Sequence, residues 1–254
     1  MEHNIKDEID KIYEMEAQGY KETKQNLSYA IPLILDIFNL YDSLSTIQGF
    51  YPIDEKIDKE LIAKQIAANQ ALLLYCKHRF IAACFATLRG HCSDSLIILR
   101  IAIEYCLVAY KIKRYPNLAD VWREAYESGQ PSNEYKKHFF NIRDLLPSSH
   151  PITDELYKRY KDCSTMAHAN IISMAPKMEN QIHEELCLLK IDYFEYQQLG
   201  FIKLTRCFFY IIDNQIGILQ IFDEIFKEVI DYDRNKWLIN LNQVNNKISI
   251  HFKK

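Results

Sequence analysis

Residues 199–226 read LGFIKLTRCFFYIIDNQIGILQIFDEIF, and their apolar spacing decides the fold. Leu199, Ile202, Phe209, Ile212, Ile216 and Leu219 share one helical stripe. Phe201, Leu204, Phe208, Ile211 and Ile218 form a second stripe beside it. Two adjacent stripes make an apolar face too wide for a surface helix, so residues 193–230 are expected to form a central core helix. A fold that buries such a helix is an all-α, multi-helix bundle.

The rest of the chain agrees with that reading. Gly (6) and Pro (7) are too scarce in 254 residues for the many turns of an all-β protein. A long helix is expected over residues 58–88, with Gly90 as its stop, and another from a Ser93 cap to residue 114. Pro116 opens a helix over 117–128, Ser132 caps one over 133–146, and Thr153 caps one over 154–168. Trp237, Leu241 and Val244 mark one side of a last helix near residues 235–247. At the other end, residues 4–18 and 20–45 read as helices, with a break near Gly19 and a boundary at Pro32. Pro176 interrupts the pattern in residues 171–191, which leaves room for one short hairpin or a helix. The expectation is one domain over residues 1–254, with residues 1–50 as a helical extension packed on the bundle or on a partner chain.

Composition narrows the classes of function. A net charge of -3 gives no basic surplus of the kind that long nucleic acid demands. Seven cysteines, odd in number, widely spaced and without a Cys-x-x-Cys pair, read as buried, reduced thiols. A zinc site would have to use His91-Cys92 or Cys163…His168, whose spacings fit no common site, so neither metal nor cofactor is expected. No apolar stretch reads as a membrane span; residues 96–110 are interrupted by Arg100 and Glu104. The acidic, basic-dotted start has no signal-peptide core, and the expected location is cytoplasmic.

Chemistry is sparse. Ser93, Arg100, Glu104 and Lys111 fall on one narrow stripe of the 93–114 helix. Either this is a solvent edge with an ordinary Arg100–Glu104 pair, or it faces a cleft. In a cleft Arg100 would fork onto a carboxylate or phosphate, and Glu104 would orient it. Lys111, Lys113 and Arg114 otherwise read as a solvated, dipole-complementing helix end. In residues 160–168, Ser164 and His168 lie one turn apart, a spacing that suits a hydroxyl nucleophile and its base but equally suits a structural contact.

Leu99-Arg100-x-x-x-Glu104, followed by Tyr115-Pro116…Trp122 and by Tyr160-x-x-x-Ser164-x-x-x-His168, resembles the signature of bacterial all-helical families without an assigned activity. The resemblance implies that Arg100, Glu104, Ser164 and His168 meet across two packed helices, with Tyr160 beside them. A second resemblance lies in Arg143-Asp144…His150, whose spacing is similar to the Arg-x(4–6)-His motif of HEPN-type RNases. That resemblance implies metal-independent RNA cleavage in a toxin or phage-defence role, with His150 in acid–base chemistry and Arg143 on phosphate. Pro147 inside the motif and its mid-chain position depart from the family pattern. The leading expectation is a protein- or ligand-binding module, with a protein partner or a second copy of the chain as its contact. The alternative is the HEPN-like RNase, with RNA as substrate.

Overall fold

The computed structural model describes residues 5–46, 49–50, 58–147, 150–167, 178–183, 186–191 and 200–252. Its helices are α1 (Ile5–Asn26), α2 (Ile31–Ser45), α3 (Lys59–Leu88), α4 (Cys92–Arg114), α5 (Leu118–Ser128), α6 (Asn133–Phe139), α7 (Pro151–Ala167), α8 (Gly200–Phe226) and α9 (Arg234–Phe252). The strands are β1 (Gly49–Phe50), β2 (Met178–His183), β3 (Leu186–Ile191) and β4 (Ile230–Asp231). Among the described residues the bundle is all-α apart from two small antiparallel pairings: β1 with β4, and a β2–β3 hairpin in register from Met178↔Ile191 to His183↔Leu186.

The scaffold is the α3–α4 hairpin. Asp58 caps α3 by accepting from the Glu60 and Leu61 amides at 3.0 and 3.2 Å. Gly90, at φ +88°, supplies the left-handed residue that ends it. The chain then turns back as α4, and Leu99, Ala102, Ile103, Cys106 and Leu107 bury one long side. Cys76 Sγ donates to the Ala102 carbonyl at 3.3 Å, and Gln65 Nε2 donates to the Lys113 carbonyl at 3.0 Å, fixing the register of the two helices. α7 and α8 pack on α4, while α2 and α9 close the far side over α8. Phe208, Ile211, Ile212, Ile218, Leu219 and Phe222 of α8 are sealed in the core, as its double stripe requires. Ile202, expected on that face, is half exposed near the helix start.

Several local expectations shift. α1 runs through Gly19, which is buried, and the turn comes at residues 27–30 instead; Pro32 sits in the first turn of α2, where its missing N–H costs nothing. α4 starts at Cys92 without a side-chain cap, so Ser93 is inside the helix. α6 ends at Phe139, and Asn141 starts a separate 3-10 turn over Ile142–Leu145. α2 belongs to the core through Leu33, Ile37, Leu40, Tyr41 and Leu44; only the first turns of α1 stand off. One described helix, α3, is long and apolar enough by length and composition to cross a membrane, contrary to the sequence expectation. One such helix is weak evidence of a span, because a core helix of a bundle passes the same test.

Candidate functional site

The α4 stripe turns inward. Ser93 and Lys111 are buried, and Arg100 and Glu104 have side chains only 29% and 33% exposed. The stripe is thus buried at its Ser93 and Lys111 ends and half-buried in between, where Arg100 and Glu104 form the expected i,i+4 pair. Arg100 reaches across to α7, where its Nη2 donates to the Tyr160 hydroxyl at 3.0 Å, and it pairs with Glu104 Oε1 at 3.3 Å. The guanidinium lies 5.0 Å from the Tyr160 ring centre. Burial works against its charge, but the Tyr160 bond and Glu104 outweigh it and hold its pKa above the usual value. Arg100 Nε is buried with no hydrogen-bond partner among the described residues. Arg100, Glu104 and Tyr160 thus come together. Ser164 lies one turn further along α7, but its hydroxyl donates to the Tyr160 carbonyl at 2.8 Å, along its own helix. His168, proposed as its base, lies outside the described residues.

Arg143 and His150 are each engaged by different partners. Arg143 is exposed on the 3-10 turn, and its Nε donates to the Tyr157 hydroxyl at 3.0 Å. His150 precedes α7 as its N-cap. Its Nδ1 accepts from the Thr153 amide at 3.3 Å, so the ring proton sits on Nε2, which donates to Glu224 Oε2 at 2.9 Å. The ring packs 5.2 Å from Tyr110. Both imidazole nitrogens are committed, one to ending a helix and one to tying α7 to α8. Thr153, expected as the cap, instead returns its hydroxyl to the His150 carbonyl at 3.0 Å.

The C-terminal end of the same α4 stripe opens into a groove of about 480 Å³. Lys111, Arg114, Tyr115, Asn117, His138 and Asp144 line it, with Leu118 and Leu146 as apolar walls. Lys111 is only 8% exposed, unlike the solvated helix end expected from sequence. One of its ammonium protons goes to the His138 carbonyl at 2.6 Å. Burial lowers its pKa and Arg114 lowers it further, while Asp144 acts in the opposite sense. His138 Nε2 contacts Glu134 at 2.8 Å, and that contact, with Lys137, holds the Glu134 carboxyl below its usual pKa. Sequence reasoning missed this groove, although one signal was available: Lys111 is seven residues beyond Glu104 on the stripe that turns inward.

A second groove, of about 440 Å³, lies between α3 and α5. Ala63, Ala67 and Ala71 make its floor, with Tyr75 and Trp122 as aromatic walls. Its rim charges form ion pairs: Lys64 with Glu60 at 2.9 Å and Asp120 at 3.2 Å, and Arg123 with Asp120 at 3.1 Å. Those carboxylates raise the pKa of Lys64. Among the described residues six cysteines are buried and in no disulfide; burial, the nearby Asp162 and Cys207 push the Cys163 thiol up to about 12. Among the described residues no group of three His, Cys, Asp or Glu side chains is placed to hold a metal ion, and His168 of the Cys163…His168 pair is outside them. Comparison with protein-family models, with curated proteins and with solved structures finds no match to this chain.

Proposed function

We propose that this chain is a non-catalytic ligand-binding module whose ligand presents an anionic head, phosphate or carboxylate, to the groove at the end of α4. The observation that carries the reading is Lys111, buried to 8% exposure yet lining a groove of about 480 Å³ beside Arg114. A desolvated ammonium is costly unless its remaining donors find an acceptor, and an anion in the groove supplies one. The volume lies in the range of small-molecule sites, and the polar groups between the Leu118 and Leu146 walls set orientation. Tyr115, 47% exposed at the rim, offers a face to a planar body attached to that head.

The test is thermal stabilisation and calorimetry of the full chain with inorganic phosphate, AMP and citrate as probes. At least one probe should bind, and at about a hundred times its Kd it should stabilise the protein by about 2.7 kcal/mol. Lys111→Met and Arg114→Ala should abolish that gain while leaving the fold intact by circular dichroism. Binding by none of the three, or binding that survives Lys111→Met, overturns the reading.

No contact of Arg143 or His150 favours the alternative, metal-independent RNA cleavage of the HEPN type, because each already serves the scaffold. A fluorogenic RNA substrate with EDTA present should show the same background with wild type and with His150→Ala. Cleavage lost only in the mutant would restore the RNase reading.

A further inference from the structure

The first half of α1 presents apolar side chains that no described residue covers. Residues 9–15 are all exposed, among them Ile9 at 49%, Ile12 at 42%, Tyr13 at 67% and Met15 at 45%. A helical segment this short is marginal in water without tertiary support, and four large apolar side chains in two turns make a patch that demands cover. From Glu16 onward the same helix settles on the bundle: Gly19 and Thr23 are buried, and Tyr20 is half-buried. Where it settles, a groove of about 530 Å³ runs between α1 and the end of α3, lined by Tyr13, Glu16, Ala17, Tyr20, Phe85 and Arg89. Phe85 is 46% exposed there.

Charge says what fits the groove. The described part of the first half of α1 carries Asp10 and Glu14 against Lys11. The groove side carries Lys21, Lys24 and Arg89 against Glu22 and Glu16, and Glu16 already faces Arg89 at 3.8 Å and His91 at 3.6 Å. The acidic, apolar half is thus complementary to the basic, aromatic half of the same surface. Two copies laid antiparallel bring each half onto the other, whereas parallel copies would set acid against acid. Ala17, small and exposed, lies near the crossing point and lets the two backbones approach.

We infer that a second copy of this chain covers this face. The pairing is a two-fold α1–α1 dimer in which Ile9, Ile12 and Met15 of each copy enter the partner's α1–α3 groove beside Phe85 and Arg89. It rests on a surface separate from the α4 groove and stands or falls independently of the ligand reading.

Sedimentation velocity on the full chain, from about 1 to 100 μM, reads the result. Wild type should have the mass of two copies. Ile9→Asp with Ile12→Asp should give a single copy with unchanged helicity, since those residues are exposed in the lone chain. Asp10→Lys with Glu14→Lys, and separately Lys21→Glu with Arg89→Glu, should each raise Kd by about tenfold or more. Mixed in equal amounts, the two charge-reversed chains should pair with one another, because every acid then meets a base again. A single-copy mass for wild type, or a mixture no tighter than its components, overturns the inference; the second result would point to a different protein as the occupant.

Discussion

Arg100 was legible as a residue because it sits alone among apolar neighbours on α4, and a lone cation in such a run must either leave the core or find a partner. It finds Tyr160, nearly three turns into α7, a neighbour that the family resemblance implied but that periodicity alone does not place. Periodicity fixes which face a side chain occupies and leaves open which helix packs against it, so the Tyr160 contact needed the fold. The same limit explains Ser164, whose hydroxyl is taken up by its own helix, and Lys111, which read as solvated because it lies in a cluster of three basic residues. Tyr160→Phe isolates the Arg100 bond, since the ring and its packing stay. A bond to a charged group contributes about 1.5–3 kcal/mol when buried, and the exposure of Arg100 discounts that to about 1 kcal/mol. Urea unfolding should show that loss with an unchanged slope; no loss would mean the pair is a surface contact without consequence.

Elements were read best where a chemical stop or start stands in the sequence. Asp58, Gly90 and Ser132 each do what their residue type dictates, and the α3, α4 and α5 boundaries fall within a residue or so of expectation. Boundaries slipped where tertiary packing overrode the local signal: at Gly19, carried through a helix, and at Phe139, where α6 gives way to the 3-10 turn. The last helix shows how elements are latched. Trp237, sealed in the core, donates its indole N–H to the Leu40 carbonyl at 3.0 Å, joining α9 to α2 across almost the whole chain. At the preceding corner Asp223 accepts from Nε and Nη2 of Arg234 at 2.8 Å and from the Tyr232 hydroxyl, which burial and that carboxylate hold well above its ordinary pKa. Trp237→Phe removes the latch, a second bond to a carbonyl already within the α2 ladder, and opens a small void. The expected cost is about 2–3 kcal/mol in chemical unfolding, and an effect under about half a kcal/mol would show that α9 is held by its corner alone.

For the molecule as a whole, the ligand reading and the stability of the bundle pull in opposite directions at Lys111. A buried ammonium lowers the stability of the empty protein, so its replacement by Met is expected to leave Tm unchanged or higher even as it abolishes anion binding. The pH dependence separates this from a generic core effect. The folded-state pKa of Lys111 lies below the ordinary 10.5, so between those two values the unfolded chain binds the proton that the folded chain has released. Stability then rises with pH across that window, is fully regained above 10.5, and is lost as pH falls through the lowered value. Lys111→Met has no such slope. The advantage of the mutant over the empty wild type should therefore be widest near neutral pH and shrink as pH climbs toward 10.5, as followed by Tm in matched buffers. With a binding probe present at neutral pH the order should reverse, because the anion stabilises only the chain that keeps its lysine. A difference that stays constant with pH would mean that burial does not tax the Lys111 charge, and the argument that the groove awaits an anion would lose its physical basis.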